Sequence, residues 1–98
     1  MNTTLPISVI LPIKSSKARN FDEYFEKAIA SINSQTVGIE ELLIVHTSEE
    51  SLVEYLNGYD FGDLNVTKLL WDKDPNYCEQ VNYGVKNSKG SWISLFEF

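Results

Sequence analysis

Cysteine is all but missing from this chain. Cys78 stands alone, so no internal disulfide can form and no cysteine-cluster zinc site can be built. A reducing, cytoplasmic setting fits that usage. Histidine is equally scarce. With His46 the only one, zinc catalysis lacks its ligands, and no G-x-S-x-G turn is present to suggest a serine hydrolase. No apolar run approaches the roughly 18 residues a membrane span needs. The opening segment MNTTLPISVILPIKSS has neither a basic start nor a small-residue cleavage site, so no secretory leader is expected. Lysine and arginine are absent between Lys27 and Lys68, a stretch that carries Glu40, Glu41, Glu49, Glu50, Glu54, Asp60 and Asp63. The net charge of −6 argues against a nucleic-acid binder, which needs clustered Lys and Arg. The acids read as a solvated surface.

What is present is enough for one domain over residues 1–98. The chain is 43% hydrophobic and 22% charged, which is ordinary for a globular protein and excludes wholesale disorder. Residues 7–13, ISVILPI, form a β-branched apolar run of the kind buried on both faces in a parallel sheet. Pro12 lacks an N–H and is expected to end its pairing. The polar loop 14–20 carries the only basic cluster, Lys14, Lys17 and Arg19, in a position to meet an anion.

A first helix is expected from residue 21 to about 35, capped by Asn20 and with Asp22 and Glu23 in its first turn. Phe21, Tyr24, Phe25, Ala28, Ile29 and Ile32 make its inward stripe. ELLIVH (41–46) reads as a second buried strand. Thr47 or Ser48 can cap a second helix whose apolar face is Leu52, Val53, Tyr55 and Leu56. VTKLLW (66–71) reads as a short third strand. A third helix is expected over about 76–88, with Cys78, Val81, Val85 and Tyr77 inward and Gly90 as its left-handed cap. WISLFEF (92–98) reads as a fourth strand.

Strands that alternate with helices predict an α/β fold: a three-layer α/β/α sandwich on a mainly parallel four-stranded sheet, a Rossmann-like nucleotide-binding half. Ligands of such sheets bind beyond the carboxyl ends of the strands, where the strand order switches. No glycine follows the first strand, which weakens P-loop and dinucleotide-fingerprint readings. A receiver-like signalling domain is disfavoured too, because ISVILPIKS carries no acid at the strand's end. His46 closes strand two, a ligand-facing place, although a lone histidine there is more often structural.

Four segments taken in order resemble family 2 glycosyltransferases of the GT-A fold. They are ISVILPIKSS (7–16), AIASINSQTV (28–37), EELLIVHTSEES (40–51) and QVNYGVKNSKGSWISLFEF (80–98). Ser31, Gln35, Thr36, Asn82, Gly84, Gly90, Ile93 and Phe96 match the family's pattern. The resemblance covers nearly the whole chain and rests on the order and spacing of all four pieces. It implies strand order 3-2-1-4 and a nucleoside diphosphate sugar as donor. It also implies a glycan or lipid-linked acceptor, and a divalent metal, Mg²⁺ or Mn²⁺, on the diphosphate. By position, Pro12, Ile13 and Lys14 would lie near the nucleoside, His46 and Thr47 near the base, and Glu97 near the metal.

The departures matter as much. His46 and Thr47 stand where the family has paired aspartates, so base recognition is altered. Val81 replaces an arginine, and Glu97 falls on the first acid of the Asp-X-Asp motif with no second acid after Phe98. No catalytic residue is assigned, since the family's base belongs to an acceptor-binding half that is absent here. The expectation is therefore the N-terminal part of a longer transferase, inactive by itself. The alternative is a degenerate, non-catalytic interaction module. Trp92, Ile93, Leu95, Phe96 and Phe98 on the last strand would leave an edge prone to self-association.

Overall fold

The computed structural model describes residues 4–17, 19–34, 38–62, 64–74 and 76–95. The elements run β1 (Thr4–Ile13), α1 (Phe21–Asn33), β2 (Gly38–Thr47), α2 (Glu50–Gly58), β3 (Val66–Trp71), α3 (Tyr77–Asn87) and β4 (Trp92–Leu95). The four strands form one sheet in the order β3-β2-β1-β4, and every pair is parallel. The fold is the α/β sandwich expected from the sequence, with the expected strand order.

Connectivity explains the layers. The chain steps from β1 to β2 to β3 in one direction, so right-handed crossovers put α1 and α2 on the same face. It then returns past β1 to place β4, so α3 crosses on the opposite face. The first face buries Val9, Leu11, Ile13, Leu42 and Ile44 against Phe21, Phe25, Ile29 and Ile32 of α1 and Leu52 and Leu56 of α2. Phe25 is ringed by Tyr55, Tyr59 and Phe61 at centroid distances of 5.4, 4.8 and 6.1 Å, all edge-on. The second face is thinner: Ile10, Leu43, Val45 and Trp71, with Leu69 and Tyr83 packed against them. Alternation along β1 and β2 sends successive side chains to the two faces, which is why both strands read as unbroken apolar runs.

Several expectations change in detail. Pro12 does not end the pairing: Pro12 lies opposite Val45, and Ile13 opposite His46. Proline removes only its own donor, so the neighbouring residues can carry the ladder on. Asn20 precedes α1 but does not cap it with its side chain. It takes a left-handed conformation at φ 60° instead, which asparagine tolerates. Tyr24 is exposed, while the rest of the α1 stripe is buried. The residue before α2 is Glu49, not Thr47 or Ser48.

The inward face of α3 is Gln80, Tyr83 and Gly84; of the residues expected there, Val81 is half-buried, whereas Cys78, Val85 and Tyr77 are exposed. Gly84 brings the helix down on the sheet, for a Cβ there would lie 2.8 Å from Ile10 Cγ2. Gly90 is not a left-handed cap, since the positive-φ glycine among the described residues is Gly62. What Gly90 supplies is closeness: an added Cβ would sit 2.6 Å from Ser8 Oγ and 2.7 Å from Ser8 N. The last three residues of the expected fourth strand, 96–98, lie outside the described residues.

Candidate functional site at the carboxyl ends of β1 and β2

The switch in strand order falls between β1 and β4, so the site is built from the carboxyl end of β1 outward. Ile13 and His46 are register partners, which sets the two strand ends side by side. The pairing of Ile10 with Leu95 shows β4 running toward the same end. Beyond Ile13 the chain is tied to its neighbour at once, because the Thr47 hydroxyl donates to the Lys14 carbonyl at 2.7 Å.

The expected site residues divide into floor and rim. Pro12 and Ile13 are buried, and the Ile13 side chain belongs to the core under α1 and α2. Only its carbonyl reaches the strand end. His46 and Thr47 are buried, at 7% and 6% exposure. The His46 Nδ1–H donates to the Thr47 carbonyl at 2.9 Å, so in the neutral ring Nε2 keeps the lone pair. Lys14 is exposed at the rim, with Lys17 and Arg19 following it in the loop. Glu97 lies outside the described residues. Among the described residues no three His, Cys, Asp or Glu side chains gather where they could hold a metal ion.

Two polar groups outside the expected site residues organise this end. The first is Gln80, fully buried. Its Nε2 donates to the Ile13 carbonyl at 3.2 Å and to the Val45 carbonyl at 3.0 Å. Its Oε1 accepts the Asn76 N–H at 3.2 Å, and Asn76 Oδ1 in turn caps α3 by accepting the Glu79 N–H. One side chain therefore bolts the start of α3 across the ends of β1 and β2. The available signal was a glutamine four residues before Gly84, on the same helical face.

The second is Glu49. Its Oε2 accepts from the Ser15 hydroxyl at 2.5 Å. Its Oε1 accepts from the Ser16 hydroxyl at 2.5 Å, the Ser16 N–H at 2.9 Å and the Ser51 hydroxyl at 2.9 Å. The Ser15 hydroxyl, then the Ser16 hydroxyl, hold this carboxyl down from the usual 4.5 to about 2. A shallow groove of about 300 Å³, lined by Lys17, Glu49, Glu50, Ser51 and Glu54, opens beside it.

At the opposite end of the sheet a third polar cluster fixes the entry to β4. Buried Glu41 accepts from the Ser8 hydroxyl at 2.8 Å and from the Lys89 N–H, while Gly90 N donates to Ser8 Oγ at 2.8 Å. This cluster is far along the strands from Lys14 and acts on the placement of β4.

Comparison with protein-family models, with curated proteins and with solved structures gave no match. No helix of the described residues is long and apolar enough to cross a membrane.

Proposed function

We propose that this chain is a nucleotide-sugar-binding domain of the family 2 glycosyltransferase type. In a longer parent it would serve transfer of a sugar from a nucleoside diphosphate sugar to a glycan or lipid-linked hydroxyl, in the cytoplasm. One observation carries the reading. The β1 and β2 ends lie side by side next to the strand-order switch, with Lys14 exposed above them. A parallel α/β sheet offers its crevice at this place, and a lysine there suits a diphosphate. Lys14, Lys17 and Arg19 give the loop a local charge opposite to the protein's net −6, which an anionic ligand requires. His46 Nε2 can accept a nucleobase N–H where an aspartate would otherwise do so. A divalent metal on the diphosphate would draw on Glu97 and on acids outside this chain.

The test is an amide-shift titration of the 98-residue chain with UDP and with GDP, each with Mg²⁺. Shifts clustered at residues 13–14 and 46–48 are expected, with no sugar transfer by the chain alone. Shifts scattered over the surface, or none with either nucleotide, would refute the reading.

A second reading, a non-catalytic interaction module, is favoured by a different feature. The His46 ring and the Thr47 hydroxyl already spend a hydrogen bond each on backbone carbonyls. Meanwhile Trp92, Ile93 and Leu95 are 69%, 40% and 47% exposed on the edge strand β4. Such an edge can take another strand, including one from a second copy. Silence toward nucleotides, combined with concentration-dependent association in sedimentation, is the outcome that reading requires.

A further inference from the structure

The loop between β1 and α1 is KSSKARN, all polar except for one alanine. It has no apolar anchor of its own, and a loop of that kind is ordinarily mobile. Here residues 14–17 are each tied. The Lys14 carbonyl accepts from Thr47 Oγ1, and the Ser15 hydroxyl donates to Glu49. Both the N–H and the hydroxyl of Ser16 donate to Glu49, and the Lys17 N–H donates to Ser15 Oγ at 3.0 Å. Four of these five ties lead to the segment 47–51, and the Glu49 carboxylate takes three of them. The Ser16 and Ser51 hydroxyls, 2.8 Å apart, close the cluster.

What this arrangement leaves free is as informative as what it binds. Among the described residues, the Lys14 and Lys17 ammonium groups make no hydrogen bond or ion pair, and both side chains are exposed. Glu49 thus spends its charge on serines and on backbone, not on the adjacent lysines. A carboxylate so filled with donors is a poor proton acceptor, which removes a general-base role. A carboxylate that straps a cationic loop without neutralising it holds that loop ready for an anion.

We infer that Glu49 is the positioning residue of the nucleotide-facing loop: through Ser15 and Ser16 it fixes the backbone that presents Lys14 and Lys17 to the diphosphate. This rests on the reading of the site given above. Glu49 touches no ligand in this scheme; it acts by having the loop ordered before binding.

The experiment compares Glu49→Ala, Glu49→Gln and Glu50→Ala with the wild type, using UDP and GDP with Mg²⁺ as probes and ¹⁵N relaxation of the loop amides as a second readout. Glu50 neighbours Glu49 and carries the same charge, so Glu50→Ala controls for long-range electrostatics. Loss of Glu49's ties should weaken nucleotide affinity about tenfold or more, the order expected when several loop residues must be ordered during binding. Glu49→Gln keeps an oxygen for the Ser16 donors and should recover most of that loss. Glu50→Ala should stay within about twofold of the wild type. A double-mutant cycle between Glu49→Ala and Ser16→Ala should show the two losses to be shared rather than additive. Equal affinity in Glu49→Ala and wild type, with the sheet amides unshifted, overturns the inference. If the wild type binds neither nucleotide, the reading of the site falls and the strap is judged on relaxation alone. Glu49→Ala must then raise fast motion at residues 14–17, and unchanged order there overturns it.

Discussion

Gln80 offers the sharpest test of how this fold holds its strand ends. Its amide makes two donations and one acceptance with no exposure to water. Gln80→Leu keeps most of the volume but takes the Gln80 partner away from the carbonyls of Ile13 and Val45 and from the N–H of Asn76. An unpartnered buried polar group costs about 1–3 kcal/mol. Water can reach the Asn76 end, which is exposed, so the two carbonyls dominate and the expected loss is about 2–5 kcal/mol. A domain of this size is held by only about 5–10 kcal/mol, so the midpoint of urea unfolding should fall far. Gln80→Glu should be worse at neutral pH, because a buried carboxylate faces two carbonyl oxygens and donates to neither. Burial and those oxygens raise the introduced carboxyl's pKa in the fold above its unfolded value of about 4.3. The folded state then binds the extra proton, so the deficit relative to wild type shrinks as pH falls from 7 toward that value. Unfolding followed by circular dichroism at pH 7 and pH 4.5 reads both effects, each variant being compared with wild type at the same pH. A loss below about 0.5 kcal/mol for Gln80→Leu, or a pH-independent deficit for Gln80→Glu, would refute the bolt.

Two further outcomes follow from the packing. Gly90→Ala places a Cβ within 2.6–2.8 Å of Ser8 Oγ, Ser8 N and Pro6 O, two of which are backbone atoms that cannot swing aside. A loss of about 1–3 kcal/mol in thermal or urea unfolding is expected. Gly84→Ala meets side-chain methyls of Ile10 and Val45 rather than backbone and gains helix propensity, so Ile10 must shift but the cost should be less than for Gly90→Ala, and the reverse ranking would contradict this account. Burial first, then neighbouring Tyr59 and Glu26, raises the Tyr55 hydroxyl above the usual 10, and burial and Glu26 do the same for Tyr59. A spectrophotometric titration should therefore show late-titrating tyrosines, removed by Tyr55→Phe and Tyr59→Phe. Because the folded state keeps those protons longer, stability is intact below pH 10 and is lost as pH rises through the shifted values. Titration of all tyrosines at the ordinary value would refute the assignment.

The architecture was legible because hydrophobic pattern and crossover handedness are both strong constraints. ISVILPI and ELLIVH are apolar on both parities, which only a sheet covered on both faces accommodates, and the helices between them fix a parallel order. The third helix was misread for an instructive reason. Its burial is carried by Gln80 and Gly84, one polar and one without a side chain, so counting apolar residues selected Cys78 and Val85 on the wrong face. Gly90 was misread for a related reason. A glycine after a helix can serve a left-handed turn or a close approach, and the sequence around it does not distinguish them.

The site was legible as a place but not as a mechanism of support. His46, Thr47 and Lys14 could be put at strand ends by counting residues. That Thr47 spends its hydroxyl on the Lys14 carbonyl depends on how far β1 and β2 are offset, which no local pattern records. The same offset decides Glu49. In the sequence it is one of seven acids in a stretch without lysine or arginine, and it reads as solvated surface. In the fold it lies opposite two serines 33 and 34 residues away. A carboxylate's chemistry follows from the donors around it: Glu49 is filled by four hydrogen bonds and holds a loop, while Glu50, one residue on, makes no bond to that loop among the described residues. The acidic stretch therefore contains at least two kinds of residue, and only the register of a parallel sheet separates them.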